Sequence, residues 1–113
     1  MKRKLIIAAA LLSLALPAGA QFVTVQQAYE VPLNELRLPV SESGTIGFKE
    51  CDKCTYMTES VSPMTRYVVN GHDVTLEKFR QAISRVADRN METVTVLHHL
   101  ENDEVTQVSI YLR

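Results

Sequence analysis

Cys51 and Cys54 are the residues of this 113-residue chain whose type and spacing point most directly to chemistry. A C-x-x-C pair can close into a disulfide, cycle as a thiol–disulfide redox centre, or give two thiolate ligands to a metal. As a disulfide it would staple a turn of four residues. So short a loop gains little from restricting the unfolded chain, about 2 kcal/mol, and serves mainly to fix the turn and its register. As a redox centre of the thioredoxin type it should open a helix after a strand. Here Lys49-Glu50 precede the pair, and the strand-like run Thr55-Tyr56-Met57 follows it. Lys49 and Lys53 would favour a thiolate, while Glu50 and Asp52 oppose them. As a metal site the pair supplies half of a four-ligand zinc shell, and the chain's three histidines, His72, His98 and His99, are the candidates to complete it. His98 and His99 are neighbours, so on a strand they point to opposite faces and cannot easily join one site. Covalent haem attachment requires C-x-x-C-H, and position 55 is Thr.

Other catalytic patterns are missing. No G-x-S-x-G elbow presents a nucleophile, and the four glycines are too scattered to cradle a phosphate. Asp52, Asp73, Asp103 and Glu104 fall in turn-like segments and read as caps or solvated tips. Met57, Met64 and Met91 are dispersed, as suits gap-filling rather than a soft-metal cluster. No catalytic residue and no cofactor is therefore assigned.

The first twenty residues read as an export address. Lys2-Arg3-Lys4 precede an apolar run from Leu5 to Leu16 broken only by Ser13; Pro17 ends it, and Ala18-Gly19-Ala20 forms a small-residue cleavage site. The run is well short of the roughly 20 residues that span a bilayer. A Sec-type signal peptide over residues 1–20, of the kind used by Gram-negative bacteria, implies a periplasmic or secreted product. Its removal takes three of the 12 basic residues and none of the 13 acidic ones, so the net charge moves from −1 to about −4. An acidic domain argues against tracking a nucleic-acid backbone. No later apolar stretch is long enough for stable membrane insertion.

The remaining chain must hold the cysteine pair with one small domain. Residues 21–35 show no clear period and read as an irregular lead-in to a domain over 36–113. Strand patterns cover Leu36–Val40, Thr45–Glu50, Thr55–Val61 and Thr65–Val69, with a short return over His72–Val74. The cysteines lie at the tip of the hairpin between the second and third of these. Asn70-Gly71 is a type I′ turn signal, since that turn needs positive φ at both positions. Thr75 can cap a helix over Leu76–Arg89, where Leu76, Phe79, Ile83 and Val86 form one apolar stripe. Asn90 is a plausible stop. Thr93–Leu100 and Val105–Leu112 then form a C-terminal hairpin across the polar turn Glu101–Glu104, with His98 on the apolar face of Val94, Val96 and Leu100. The implied class is α+β: strands, one helix, then two strands, the helix packed on a mostly antiparallel sheet of about five strands.

The unit Tyr67-Val-Val-Asn-Gly71, Val74-Thr-Leu-Glu-Lys-Phe79 and Thr93-Val-Thr-Val96 is similar to the strand–turn–helix–strand units of small periplasmic domains, including the periplasmic part of ExbD-like energy-transducing proteins. The cysteine hairpin departs from that pattern, as does the absence of the membrane helix those proteins carry. As a whole the chain resembles the small secreted or periplasmic proteins common in Gram-negative bacteria, a resemblance that transfers no site residues. The reading leans away from an enzyme, toward a protein-binding or accessory module with a structural disulfide and an exposed sheet face or edge for its partner. A thiol-redox or redox-sensing protein using Cys51 and Cys54, and a metal-binding protein using those cysteines with a histidine, are the alternatives.

Overall fold

A computed structural model describes residues 25–112. The signal peptide expected over residues 1–20 lies outside them. Eight strands and one α-helix follow in order: β1 (Gln26–Pro32), β2 (Leu36–Arg37), β3 (Thr45–Phe48), β4 (Met57–Ser60), β5 (Arg66–Val69), β6 (His72–Val74), α1 (Leu76–Ser84), β7 (Thr93–His99) and β8 (Glu104–Ile110). The fold is α+β with a mostly antiparallel sheet.

β8 is the hub of the sheet. It pairs antiparallel with β7 along one side. On the other side its C-terminal half runs parallel to β5, from Arg66↔Gln107 to Val69↔Ile110, and its first residue bridges Ser60 of β4. β7 in turn pairs with β1, β4 with β3, β3 with β2, and β5 with β6. The parallel pairing follows from the order of elements: the chain leaves β5, turns through β6, crosses in α1 and descends β7 before β8 arrives beside β5.

The β7–β8 ladder carries a bulge. Leu97 faces Gln107, yet the next residue, His98, faces Val105, so Thr106 has no opposite number. The extra residue flips the alternation along β8. It lets Val105, Val108 and Ile110 all reach the core, where each is essentially fully buried. The Thr65 hydroxyl donates to the Val105 carbonyl at 2.6 Å, fixing the backbone beside the bulge.

Thr75 caps α1 by accepting the Lys78 N–H at 3.1 Å. The stripe of Leu76, Phe79 and Ile83 is buried on the sheet, with the Phe79 ring 5.7 Å from that of Tyr67. The helix ends at Ser84, five residues before the Arg89 expected from the stripe. The cause is local: Arg85 and Val86 close tighter turns onto Ala82 and Ile83, and the Arg89 guanidinium caps the helix by donating to the Ile83 carbonyl at 3.0 Å.

Two other expectations need correction. The sheet has eight strands rather than about five, because β1 joins it beside β7 and the short runs β4–β3–β2 and β5–β6 attach at opposite ends of β8. The supposed lead-in over residues 21–35 contains β1 and a 3-10 turn over Leu33–Glu35. Tyr29, Val31 and Leu33 supply its inward side chains, and Val31 and Leu33 are fully buried. Their alternation was short, and the flanking glutamines masked it. β2 conversely stops at Arg37. Pro39, lacking an N–H, leaves the sheet and is buried, its carbonyl accepting from Arg80 at 2.6 Å.

Candidate functional site

The cysteines sit where the sequence placed them, in the connection between β3 and β4, and are joined in a disulfide with Cα atoms 5.0 Å apart. The Cys54 N–H donates to the Cys51 carbonyl at 3.1 Å, closing a turn inside the bridge. Lys49 belongs to this turn: its ammonium donates to the Asp52 carbonyl at 2.9 Å and lies 3.5 Å from the Glu35 carboxylate. No helix starts at the pair; Thr55 and Tyr56 lead into β4.

The histidines are dispersed. His72 is exposed at the start of β6. His99 is half-buried, and its Nδ1 accepts the Asn102 N–H at 3.3 Å. His98, one residue earlier on β7, faces the core and is 6% exposed. Its Nε2 lies 2.9 Å from Asp103 Oδ1 and 3.0 Å from Glu59 Oε2, while its Nδ1 is buried without a partner. Glu59, His98 and Asp103 are the one group of three ligand-type side chains gathered within 4.8 Å among the described residues. This group includes neither cysteine and neither of the other histidines.

Asp103 reads from sequence as a cap or solvated tip and Glu59 is not singled out there, but a signal for Glu59 existed. β4 alternates so that Met57, Glu59 and Val61 share a side, which places a carboxylate on an inward stripe. His98 likewise interrupts the inward stripe of Val94 and Val96. Two polar groups at inward positions of one sheet are natural partners, because a buried polar group must find one. Asp103 is an exposed turn residue with φ 55°, and only the closure of the β7–β8 hairpin brings its carboxylate to His98.

The outer edge of β1 is the second feature. The Leu100 N–H donates to the Val25 carbonyl at 2.8 Å and the Leu33 N–H to the Glu92 carbonyl at 2.9 Å, and both pairs continue the β1–β7 register. Bonded residues alternate along an antiparallel strand. Gln27, Tyr29 and Val31 therefore bond to β7, while Gln26, Ala28 and Glu30 turn their N–H and C=O groups outward. Pro32 turns out a carbonyl alone. Among the described residues no strand pairs with this side. The other outer strands, β2 and β6, have two and three residues against the seven of β1.

Surface hollows are open and shallow. One of about 440 Å³ lies at the end of α1 against Val86, Met91 and Leu112. Among the described residues no helix is long and apolar enough to cross a membrane. No family model, no curated protein and no solved structure matches the chain.

Proposed function

We propose that this is an exported, non-enzymatic binding module that takes an extended segment of a partner protein onto the outer edge of β1. The outward N–H and C=O groups of Gln26, Ala28 and Glu30 carry this reading. Natural sheets protect long edges with lysines, bulges, prolines or brevity. β1 has seven residues, no lysine, no bulge in its pairing with β7, and a proline only at its end. An added strand would gain main-chain hydrogen bonds from the edge and specificity from the side chains beside it. The Cys51–Cys54 disulfide, suited to an oxidising compartment, and the leader pattern of residues 1–20 support export.

Ala28→Pro tests the reading. It removes an outward N–H while leaving the donors used by β7 in place, and proline is tolerated on an edge. In pull-downs from a periplasmic extract, a partner retained by the wild type should be lost by a variant that melts normally. Equal retention of the partner, or the absence of any partner in repeated trials, would sink the proposal. Amino-terminal sequencing of the exported protein should begin at Gln21; an intact Met1 would remove the export half of the reading.

A further inference from the structure

We propose that Glu59, His98 and Asp103 bind one divalent transition-metal ion of the zinc type. The three side chains come from β4, β7 and the β7–β8 turn, and they converge on a single atom, His98 Nε2, at 3.0 Å and 2.9 Å. A neutral imidazole has at most one proton at that nitrogen, and one N–H cannot make two well-directed bonds to two carboxylates. A cation placed between the three atoms satisfies all of them. The spacings are in the range it needs: ligands about 2.1 Å from a metal stand about 3 Å apart at right angles and about 3.4 Å apart at the tetrahedral angle, and the three ligand atoms all lie within 4.8 Å of one another. One imidazole nitrogen with two carboxylate oxygens is a borderline donor set, which favours zinc and its first-row neighbours over calcium or magnesium.

The surroundings are graded. The His98 side chain is 8% exposed and that of Glu59 19%, whereas that of Asp103 is 81% exposed. The anchor is held rigidly by the sheet, and the third ligand stands at the surface, where an ion can enter and water can fill its remaining positions. The turn is braced by the Asn102 N–H on His99 Nδ1, so Asp103 reaches His98 from a fixed backbone. The cluster lacks an outer partner for the imidazole. Bound through Nε2, His98 would carry its proton on Nδ1, which has no acceptor. Loss of such support costs roughly 10–100-fold in metal affinity, so the site should bind more weakly than a fully braced structural zinc.

The test uses untagged, chelator-treated protein titrated with Zn²⁺ by calorimetry and with Co²⁺ by visible absorption. One equivalent should bind, and the ring resonances of His98, not those of His72 or His99, should shift. Asp103→Asn keeps a residue that tolerates positive φ and can still accept from His98; it should melt like the wild type and bind at least tenfold more weakly. Glu59→Gln should do the same, and if it fails to fold, Asp103→Asn decides alone. No saturable binding at millimolar zinc would overturn the proposal. Binding that survives Asp103→Asn, or that follows His72→Gln or His99→Gln, would overturn it too.

Discussion

The hydroxyl of Tyr56 occupies the space that a side chain at Gly47 would need, so a Cβ there would run into it. Gly47 lies in β3, and Tyr56 immediately precedes β4 on the far side of the disulfide turn. The ring is therefore laid across the hairpin that carries the cysteines. It is also 49% exposed, so it can yield by swinging into solvent. Gly47→Ala should push it out, and Tyr56→Ala should make the same substitution harmless. A double-mutant cycle on denaturant unfolding should show a coupling of about 1 kcal/mol. Strict additivity would mean that the ring does not hold the hairpin.

The disulfide and the core should separate cleanly in stability. Converting Cys51 and Cys54 together to Ser opens a four-residue loop and should cost about 2 kcal/mol with the fold kept. Phe79→Ala empties a fully buried site against Tyr67 and should cost about 3–5 kcal/mol. Thermal melts of both variants check the order. A double-serine protein that failed to fold would show that the turn organises more of the sheet than its length implies.

Alkaline pH should weaken the fold through Tyr67. Burial, with the Glu42 carboxylate adding to it and Arg80 opposing, pushes this phenol up to about 12; its hydroxyl has no partner. The fold favours the neutral form, so this contribution is fully present below about pH 10 and is lost as pH rises toward about 12. Tyr67→Phe deletes the ionisable group and the orphan hydroxyl together. Urea melts should find it as stable as the wild type at neutral pH, or more stable by up to about 1 kcal/mol, with a smaller alkaline loss. The loss that remains would include Tyr29, whose pKa is raised by burial and by Glu59 and Glu50. An undiminished loss in the variant would clear Tyr67 of any part in it.

Asn70 should prove to have two jobs. It takes positive φ, 51°, in the β5–β6 turn with Gly71 at 83°, and its Oδ1 accepts the Leu112 N–H at 2.7 Å. Asn70→Gly keeps the backbone conformation and loses only the tether; Asn70→Ala loses both. The glycine variant should be milder by about 1 kcal/mol, measured by denaturant unfolding. Equal losses would assign the residue's whole effect to the tether.

What could be read from sequence was local. The Asn70-Gly71 turn, the Thr75 cap, the Phe79 stripe and the cysteine hairpin each depend on neighbours within a few positions, and each is found in place. Missed features depended on distant pairing. β1 is a strand because β7 lies beside it, and Gln26 and Gln27 do not announce that. The bulge at Thr106 is a matter of registering two strands, invisible in either alone. Asp103 was dismissed as a turn residue on correct local grounds, and only the hairpin geometry brings it to His98. A polar residue on an inward stripe, as at Glu59, is the one part of that cluster a sequence could have flagged.

That β8 is both the hub of the sheet and the last of the described strands has a consequence for the order of events in folding. Arg66 waits for Gln107, and Val69 for Ile110. Until β8 is in place, β5 and β7 have no neighbour in common and the core has no floor. Long-range pairing of this kind is slow to form. The sheet therefore closes only when β8 docks, and the strands laid down before it stay open until then.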